Sequence, residues 1–220
     1  MITLSRLIGL LQVDSTVGDL SGNAIRIEGL SKLAQDNGAV LAVSTELAIS
    51  GYPPRDLLLQ PDFVKRSQQQ ASTLSVNIPV LVGTPVIPDS ERQLPANGVV
   101  RAGPLSSHPN GNQTNRVVAR KQLLPSYDVF DETRYFQASN RSGICRTIGD
   151  LDLGVTICED AWQAAGMTPS EYGVDPIENL AEWGRQGVEL DVTVNLSASP
   201  YHADKVCLLY TSDAADEVQC

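Results

Sequence analysis

The sequence predicts an α/β layered fold with a mixed central sheet. Short apolar runs typical of buried strands recur along the 220 residues, and segments with the helical spacing of apolar side chains stand between them. Their order is a βαβ unit, a group of strands and a second βαβ unit, which favours helices packed on a sheet. The sequence contains no internal repeat and no clear linker, so we expect one domain.

The first βαβ unit lies at the start of the chain. Arg6–Val13 has the pattern of a strand, and Asp19 can cap a helix that runs to about Asp36. Gly38 supplies the left-handed residue that ends such a helix, and Val40–Ser44 is a buried strand. The side chains expected to face the sheet are Ile27, Leu30, Leu33 and Ala34.

The middle of the chain is rich in strands. A loop of Gly and Pro residues precedes a second helix, for which Asp62 is the expected cap and Leu74 the approximate end. The segment Pro104–Asn115 is predicted to form an exposed hairpin tip. The three strands expected here are Val80–Ile87, Gly98–Ala102 and Arg116–Lys121.

The last third of the chain supplies two paired strands and the second βαβ unit. Ile144–Ile148 and Asp152–Cys158 are expected to pair around a Gly-Asp turn. A third helix begins with the clearest signal in the sequence, in which Asp175 is the cap, Pro176 takes the first position and Glu178 completes a capping box. The following strand is Leu190–Leu196.

The composition excludes several classes of function. The formal net charge is −10, so the chain lacks the excess of basic residues typical of nucleic-acid-binding proteins, and we expect neither a nucleic-acid nor a membrane partner. No apolar run approaches the length of about 18 residues that a membrane helix needs. The cysteines form no CxxC pair, which predicts no metal site, no disulfide framework and a cytoplasmic location. They are Cys145, Cys158, Cys207 and Cys220.

Three residues of complementary chemistry stand at the ends of predicted strands. Glu46 follows one strand, Lys121 ends another and Cys158 ends a third. Strand ends are where α/β proteins bind ligands. A thiol that attacks an amide needs a base and a group that stabilises the oxyanion, and this set supplies both. Taken singly, such a cysteine is more often a core residue, and such a charge is more often exposed to solvent.

Four segments resemble the nitrilase superfamily. The stretches GYPPRDLLLQPDF and YDVFDETRYF are similar in particular to the glutamine-hydrolysing domains of glutamine-dependent NAD+ synthetases. The resemblance extends over most of the chain, to Lys205. The four segments are Glu46–Phe63, Lys121–Phe136, Gly154–Trp162 and Asn195–Lys205.

This resemblance implies a nitrilase-like α-β-β-α sandwich with mixed sheets, truncated at its C-terminal end. It implies an incomplete carbon–nitrogen hydrolase domain over residues 1–206, without the synthetase domain that would use ATP and Mg. Residues 207–220 differ in character, and we expect a non-native tail there. The resemblance implies no cofactor for this chain, glutamine as its substrate, the synthetase domain as its partner in a full-length chain, and a homo-oligomer.

The resemblance also assigns roles. Glu46 matches the general base, Lys121 the catalytic lysine that also favours the thiolate, and Cys158 the nucleophile. Glu132 matches a glutamate that supports the lysine, and Glu159 is a further supporting residue. The residues implied to hold the amino-acid end of glutamine are Tyr127, Ser199 and Lys205.

Three alternatives stay open at this point. The chain could be an amidase or carbamoylase acting on another small amide. It could be a papain-like hydrolase in which His202 serves Cys158, although Glu46 and Lys121 would then have no role. It could also be a fragment without activity of its own, because the missing strands would leave a sheet edge uncovered.

Overall fold

The computed structural model describes residues 6–88, 90, 93–104, 117–140, 143–148, 151–163, 166, 168, 171–187 and 189–200, with the backbone alone for 144–148. The expected hairpin tip and the expected tail therefore lie almost entirely outside the described residues. So do Lys205 and His202.

Five strands form the first sheet, in the order in which they occur in the sequence. The first three strands are parallel, and the last two join antiparallel, so the sheet is mixed. The strands are β1 (Leu7–Leu11), β2 (Ala39–Ser44), β3 (Val80–Val86), β4 (Ala96–Ala102) and β5 (Val117–Arg120).

The last three strands form a second sheet, so the expectation of one central sheet is wrong. β6 (Gly143–Ile148) pairs antiparallel with β7 (Leu151–Ile157), as expected from the Gly-Asp turn, and β7 pairs in parallel with β8 (Val192–Leu196). The two sheets pack face to face through apolar side chains of β2 and β3 on one side and of β7 and β8 on the other. A strand sequence shows that both faces are buried but does not show whether a helix or another sheet covers each face.

Three helices cover the outer faces: α1 (Leu20–Asp36) and α2 (Pro61–Ser72) pack on the first sheet, and α3 (Pro176–Arg185) packs on β7 of the second. The layer order is thus the α-β-β-α sandwich of mixed sheets that the resemblance implied, and that expectation is confirmed. Alternate residues of the central strands face the two neighbouring layers. Ala42 and Val82 face the helices, while Leu41 and Leu81 face the second sheet.

The helix ends agree with the sequence signals at two of three positions. The Asp19 carboxylate accepts the Gly22 N–H, and the Asp175 carboxylate accepts the N–H groups of Ile177 and Glu178. In α2 the cap is Gln60, and the helix begins at Pro61, whose fixed φ suits the first position. Asp62 therefore lies in the first turn.

Two further details of the helices differ from expectation. Glu178 does not complete the expected capping box; its carboxylate pairs with Arg185. In α1 the Leu33 side chain is 58% exposed, because the sheet-facing side of the helix is centred on Ile27 and Ala24. No helix in the described part of the chain has the length and apolar character needed to cross a bilayer.

Candidate active site

Glu46 lies in a tight turn directly after β2. Leu47 adopts a positive φ of 49° in this turn. A Cβ atom at Gly83 of β3 would lie 2.4 Å from the Thr45 carbonyl oxygen and 2.6 Å from the Leu47 nitrogen. Gly83 therefore allows the turn to pack on the neighbouring strand, and its N–H donates to the Ser44 hydroxyl (3.1 Å).

Three donors hold the buried Glu46 carboxylate. Oε1 accepts from Nζ of Lys121 and from Nδ2 of Asn97, both at 2.8 Å, and Oε2 accepts from the backbone N–H of Ala198 at 3.0 Å. These donors come from the end of β5, from β4 and from the segment after β8. Glu46 is thus fixed by groups from both sheets.

Lys121 follows β5 and is fully buried between two carboxylates. Its ammonium group contacts Glu46 and donates to Oε1 of Glu132 at 3.0 Å. Burial disfavours the charge, but Glu46, Cys158 and Glu132 together outweigh it, so the pKa of Lys121 lies well above its ordinary value. Lys121 is therefore a cation held inside the protein.

Glu132 begins the short 3-10 helix Glu132–Arg134, and its carboxylate also accepts the Tyr52 hydroxyl at 3.0 Å. Burial is the main cause that raises the pKa of Glu132, to about 7. Lys121 acts in the opposite direction, and Glu46 adds to the rise. Two buried carboxylates thus share one lysine.

Cys158 lies directly after β7, at the start of the 3-10 helix Cys158–Ala161, with a positive φ of 48°. Its side chain is buried, and its sulfur lies 3.9 Å from the Ser199 hydroxyl, which is 3.0 Å from the Ser197 hydroxyl. Burial and then Glu46 raise the pKa of the Cys158 thiol to about 12, while Lys121 lowers it. Lys121 thus favours the thiolate as expected, but burial outweighs it.

Asp160 joins the strand end that carries Lys121 to the one that carries Cys158. Its buried carboxylate accepts the N–H groups of Gln122 and Leu123 at 3.0 and 2.8 Å, and that of Ile157 at 3.1 Å. Burial raises the pKa of Asp160 to about 6, although these backbone donors oppose the rise. The carboxylate therefore links the two sheets beside the candidate site.

Glu159 is buried beside two tyrosines. Tyr127 donates its hydroxyl to the carboxylate at 2.8–2.9 Å, and Tyr172 donates at 3.3 Å. Burial, together with the Glu159 carboxylate, raises the pKa of both phenols. Tyr127 and Glu159, which the resemblance implied separately, therefore form one hydrogen-bonded group.

The structure brings most of the predicted site residues to the same region. Lys121 is in direct contact with both Glu46 and Glu132. Adjacent residues of the segment after β8 contact Glu46, through Ala198, and Cys158, through Ser199. The described residues contain no cluster of side chains that could hold a metal ion.

The sequence did not identify five residues that bind the candidate site residues in the structure: Tyr52, Asn97, Asp160, Tyr172 and Asn195. Asp160 and Tyr52 lie inside segments that resemble the nitrilase superfamily, so the sequence did point to their parts of the chain. Asn97 and Asn195 are single polar residues in strands, and nothing in the pattern distinguishes them from solvent-facing positions.

No protein-family model matches the chain. A glutamine-dependent NAD+ synthetase from Synechocystis is 38% identical over 205 residues, which is 90% of this chain and 35% of that protein. The structure of a glutamine-dependent NAD+ synthetase from Acinetobacter baumannii has a TM-score of 0.69 at 25% identity, covering 92% of this chain and 34% of that one. The chain is a homologue of part of the glutamine-dependent NAD+ synthetases. It spans about a third of the length of these relatives.

A further comparison concerns the fold alone. An amidase of the nitrilase superfamily from Nesterenkonia has a TM-score of 0.68 at 16% identity, covering 93% of this chain and 70% of the amidase. In another structure of that amidase, the acetamide moiety of fluoroacetamide is added covalently at the active-site cysteine. The NAD+ synthetase homologue therefore has the nitrilase-superfamily fold.

Proposed function

We propose that this NAD+ synthetase homologue hydrolyses glutamine to glutamate and ammonia, with Cys158 as the nucleophile. The observation that carries the proposal is the buried contact of 2.8 Å between Glu46 and Lys121, beside the strand end that presents Cys158. A buried ion pair contributes little net stability, so chemistry is the better reason for its presence. The homology to glutamine-dependent enzymes supports glutamine as the substrate.

In the first step, Glu46 takes the thiol proton while the Cys158 sulfur attacks the side-chain carbonyl carbon of glutamine. A raised thiol pKa means that the proton must be removed during attack. The carbon–nitrogen bond then breaks, Glu46 returns the proton to the leaving nitrogen, and ammonia departs. The product is a glutamyl thioester on Cys158.

In the second step, Glu46 takes a proton from water, which attacks the thioester carbonyl. The carbon–sulfur bond breaks, glutamate leaves, and the proton returns to the Cys158 sulfur. Both tetrahedral intermediates carry a negative oxygen. Lys121 and the backbone N–H of Glu159, in the first turn of a helix where N–H groups lack intrahelical partners, would stabilise that charge.

The amino-acid end of glutamine would lie toward Tyr127, Ser199 and Lys205. The Ser199 hydroxyl is 3.9 Å from the Cys158 sulfur, which places it at the reacting end of a substrate, so its part in holding the amino-acid end rests on the resemblance alone. Glu159, held by Tyr127, offers a carboxylate to an ammonium group. Glu132 would support Lys121 through the hydrogen bond of 3.0 Å between them.

The wider setting is also part of the proposal. Residues 1–206 would form the hydrolase domain, and a synthetase domain in a longer chain would use the ammonia, with ATP and Mg, to form NAD. We expect a homo-oligomer in the cytoplasm, where a reducing environment keeps a catalytic thiol free. This chain would hold no cofactor itself.

The test is ammonia release from L-glutamine. It is run on the chain and on a chimaera in which the chain replaces the aligned segment of the Synechocystis relative. We expect hydrolysis of glutamine that is lost in Cys158→Ala. Absence of hydrolysis in both proteins would contradict the proposal. Equal hydrolysis of a simple amide without an α-carboxylate would favour an amidase instead.

A further inference from the structure

The backbone of Cys158 adopts a conformation that few side-chain-bearing residues tolerate. Its φ of 48° lies in the left-handed region, where a Cβ atom is strained. Such a conformation persists when surrounding groups fix it, and such residues cluster at functional sites.

One side chain binds both polar groups of the Cys158 backbone. Oδ1 of Asn195 accepts the Cys158 N–H at 2.6 Å, and Nδ2 of Asn195 donates to the Cys158 carbonyl at 3.2 Å. A side-chain amide carries a donor and an acceptor side by side, so it can replace the two bonds of a neighbouring strand. The aligned β7–β8 ladder ends one residue earlier, at the pair of Ile157 and Leu196.

The position of Asn195 argues against a role in core packing. Along β8 the residues alternate, with Val194 and Leu196 buried and Thr193 and Asn195 exposed. The side chain of Asn195 therefore contributes little apolar contact. Its described contacts are directed at the residue that carries the thiol.

We propose that Asn195 is a positioning residue that fixes the Cys158 backbone so that the sulfur faces Glu46 and Lys121. This inference rests on the proposed function, because it assigns Asn195 to the same nucleophile. An unfixed Cys158 would relax toward ordinary φ values and carry its sulfur away from the base. The acyl-transfer steps would slow, while glutamine binding by other side chains would remain.

The experiment compares Asn195→Ala and Asn195→Asp with Thr193→Ala in the chimaera. The Asp variant can still accept the Cys158 N–H but cannot donate to its carbonyl. Thr193 lies on the same face of β8, two residues away, and serves as the matched control. Turnover is normalised to the fraction of folded protein, measured by circular dichroism, so that misfolded protein does not count.

We expect kcat for glutamine to fall at least ten-fold in Asn195→Ala, with KM within three-fold of the unchanged protein. The kcat of Asn195→Asp should lie between those of Asn195→Ala and the unchanged protein. The kcat of Thr193→Ala should equal that of the unchanged protein. A normalised kcat within two-fold in Asn195→Ala would overturn the inference while leaving the proposed function intact.

A second readout does not depend on hydrolysis. The rate at which iodoacetamide modifies Cys158 near neutral pH is expected to rise several-fold in Asn195→Ala, because the sulfur moves away from the buried site and from the Glu46 carboxylate, which both raise its pKa. If neither the chain nor the chimaera hydrolyses glutamine, the proposed function fails. The alkylation rate then still decides the role of Asn195, and an unchanged rate overturns it.

Discussion

Nζ of Lys121 lies 2.8 Å from Oε1 of Glu46, and both side chains are completely shielded from solvent. Removing two charges from water is costly, and their attraction rarely yields a large net gain in stability. Lys121 also contacts Glu132, so one cation serves two carboxylates. This arrangement keeps a carboxylate and a positive charge in fixed positions near the strand end that carries Cys158.

The first prediction concerns the loss of that cation. Lys121→Met leaves Glu46 and Glu132 buried without their shared partner, so the free energy of unfolding should fall by about 3–5 kcal/mol. Urea unfolding followed by circular dichroism measures this change. The control is Lys32→Met, which removes an exposed pair with Asp36 and should change stability by less than about 0.5 kcal/mol. Equal effects of the two substitutions would contradict the account.

The second prediction concerns the pH dependence of stability. The Glu132 carboxyl has a pKa raised from 4.5 to about 7, chiefly by burial, so the folded state binds its proton more tightly than the unfolded state does. Its contribution to stability is complete below pH 4.5 and is lost as the pH rises to about 7. Relative to Glu132→Gln, the unchanged protein should therefore lose about 2–3 kcal/mol across this window.

The quantity compared is the difference in the free energy of unfolding between the unchanged protein and Glu132→Gln, because Asp160 titrates in an overlapping pH range. Its pKa is raised to about 6, and Asp160 is present in both proteins, so its effect cancels. Unfolding by urea at several pH values supplies the two curves. If the unchanged protein became more stable relative to Glu132→Gln as the pH rises, the direction predicted for Glu132 would be wrong.

The third prediction concerns the reactivity of Cys158. With a thiol pKa of about 12, the rate of carbamidomethylation at Cys158 should rise steadily from pH 7 to pH 10 without a plateau. Peptide mass spectrometry separates Cys158 from the other cysteines. Because Glu46 raises this pKa, Glu46→Gln should speed alkylation while it abolishes hydrolysis. A plateau near pH 8 would show a thiolate already formed in the folded protein.

The fourth prediction concerns the turn that carries Glu46. Gly83→Ala would place a Cβ within 2.4–2.6 Å of backbone atoms of Thr45 and Leu47, so the turn must shift. We expect a loss of stability of about 1–3 kcal/mol and at least a ten-fold loss of glutamine hydrolysis.

The control for this substitution is Gly29→Ala in α1, where no atom lies within 4 Å of the added Cβ. This change should stabilise the protein by about 0.5–1 kcal/mol and leave hydrolysis unchanged. Full activity in Gly83→Ala, measured by ammonia release, would show that the turn tolerates displacement.

The sequence predicted that Glu46, Lys121 and Cys158 follow strands, because apolar runs mark strands and strand ends are where α/β proteins bind ligands. The sequence also predicted where α1 and α3 begin, from their capping residues Asp19 and Asp175, because capping is a local interaction. It did not predict two sheets, since a run buried on both faces does not reveal what covers it.

The hydrogen-bond partners of the candidate catalytic groups could not be predicted in the same way. Asn97 and Asn195 bind residues that are far from them in the sequence, Glu46 and Cys158. A single asparagine in a strand forms no periodic pattern that would predict such a contact. The conformation of Cys158 was also beyond the sequence, because positive φ is expected of glycine and is rare for cysteine.

In the proposed reaction, Cys158 forms the covalent bond to the substrate. The most direct measurement is mass spectrometry of the protein after treatment with a diazoketone analogue of glutamine, which alkylates a thiol that binds it as a substrate. The account predicts one label per chain, located on Cys158, reduced by added glutamine and absent in Cys158→Ala. Labelling mainly of Cys145 or Cys207, or labelling of Cys158 that glutamine does not reduce, would contradict it.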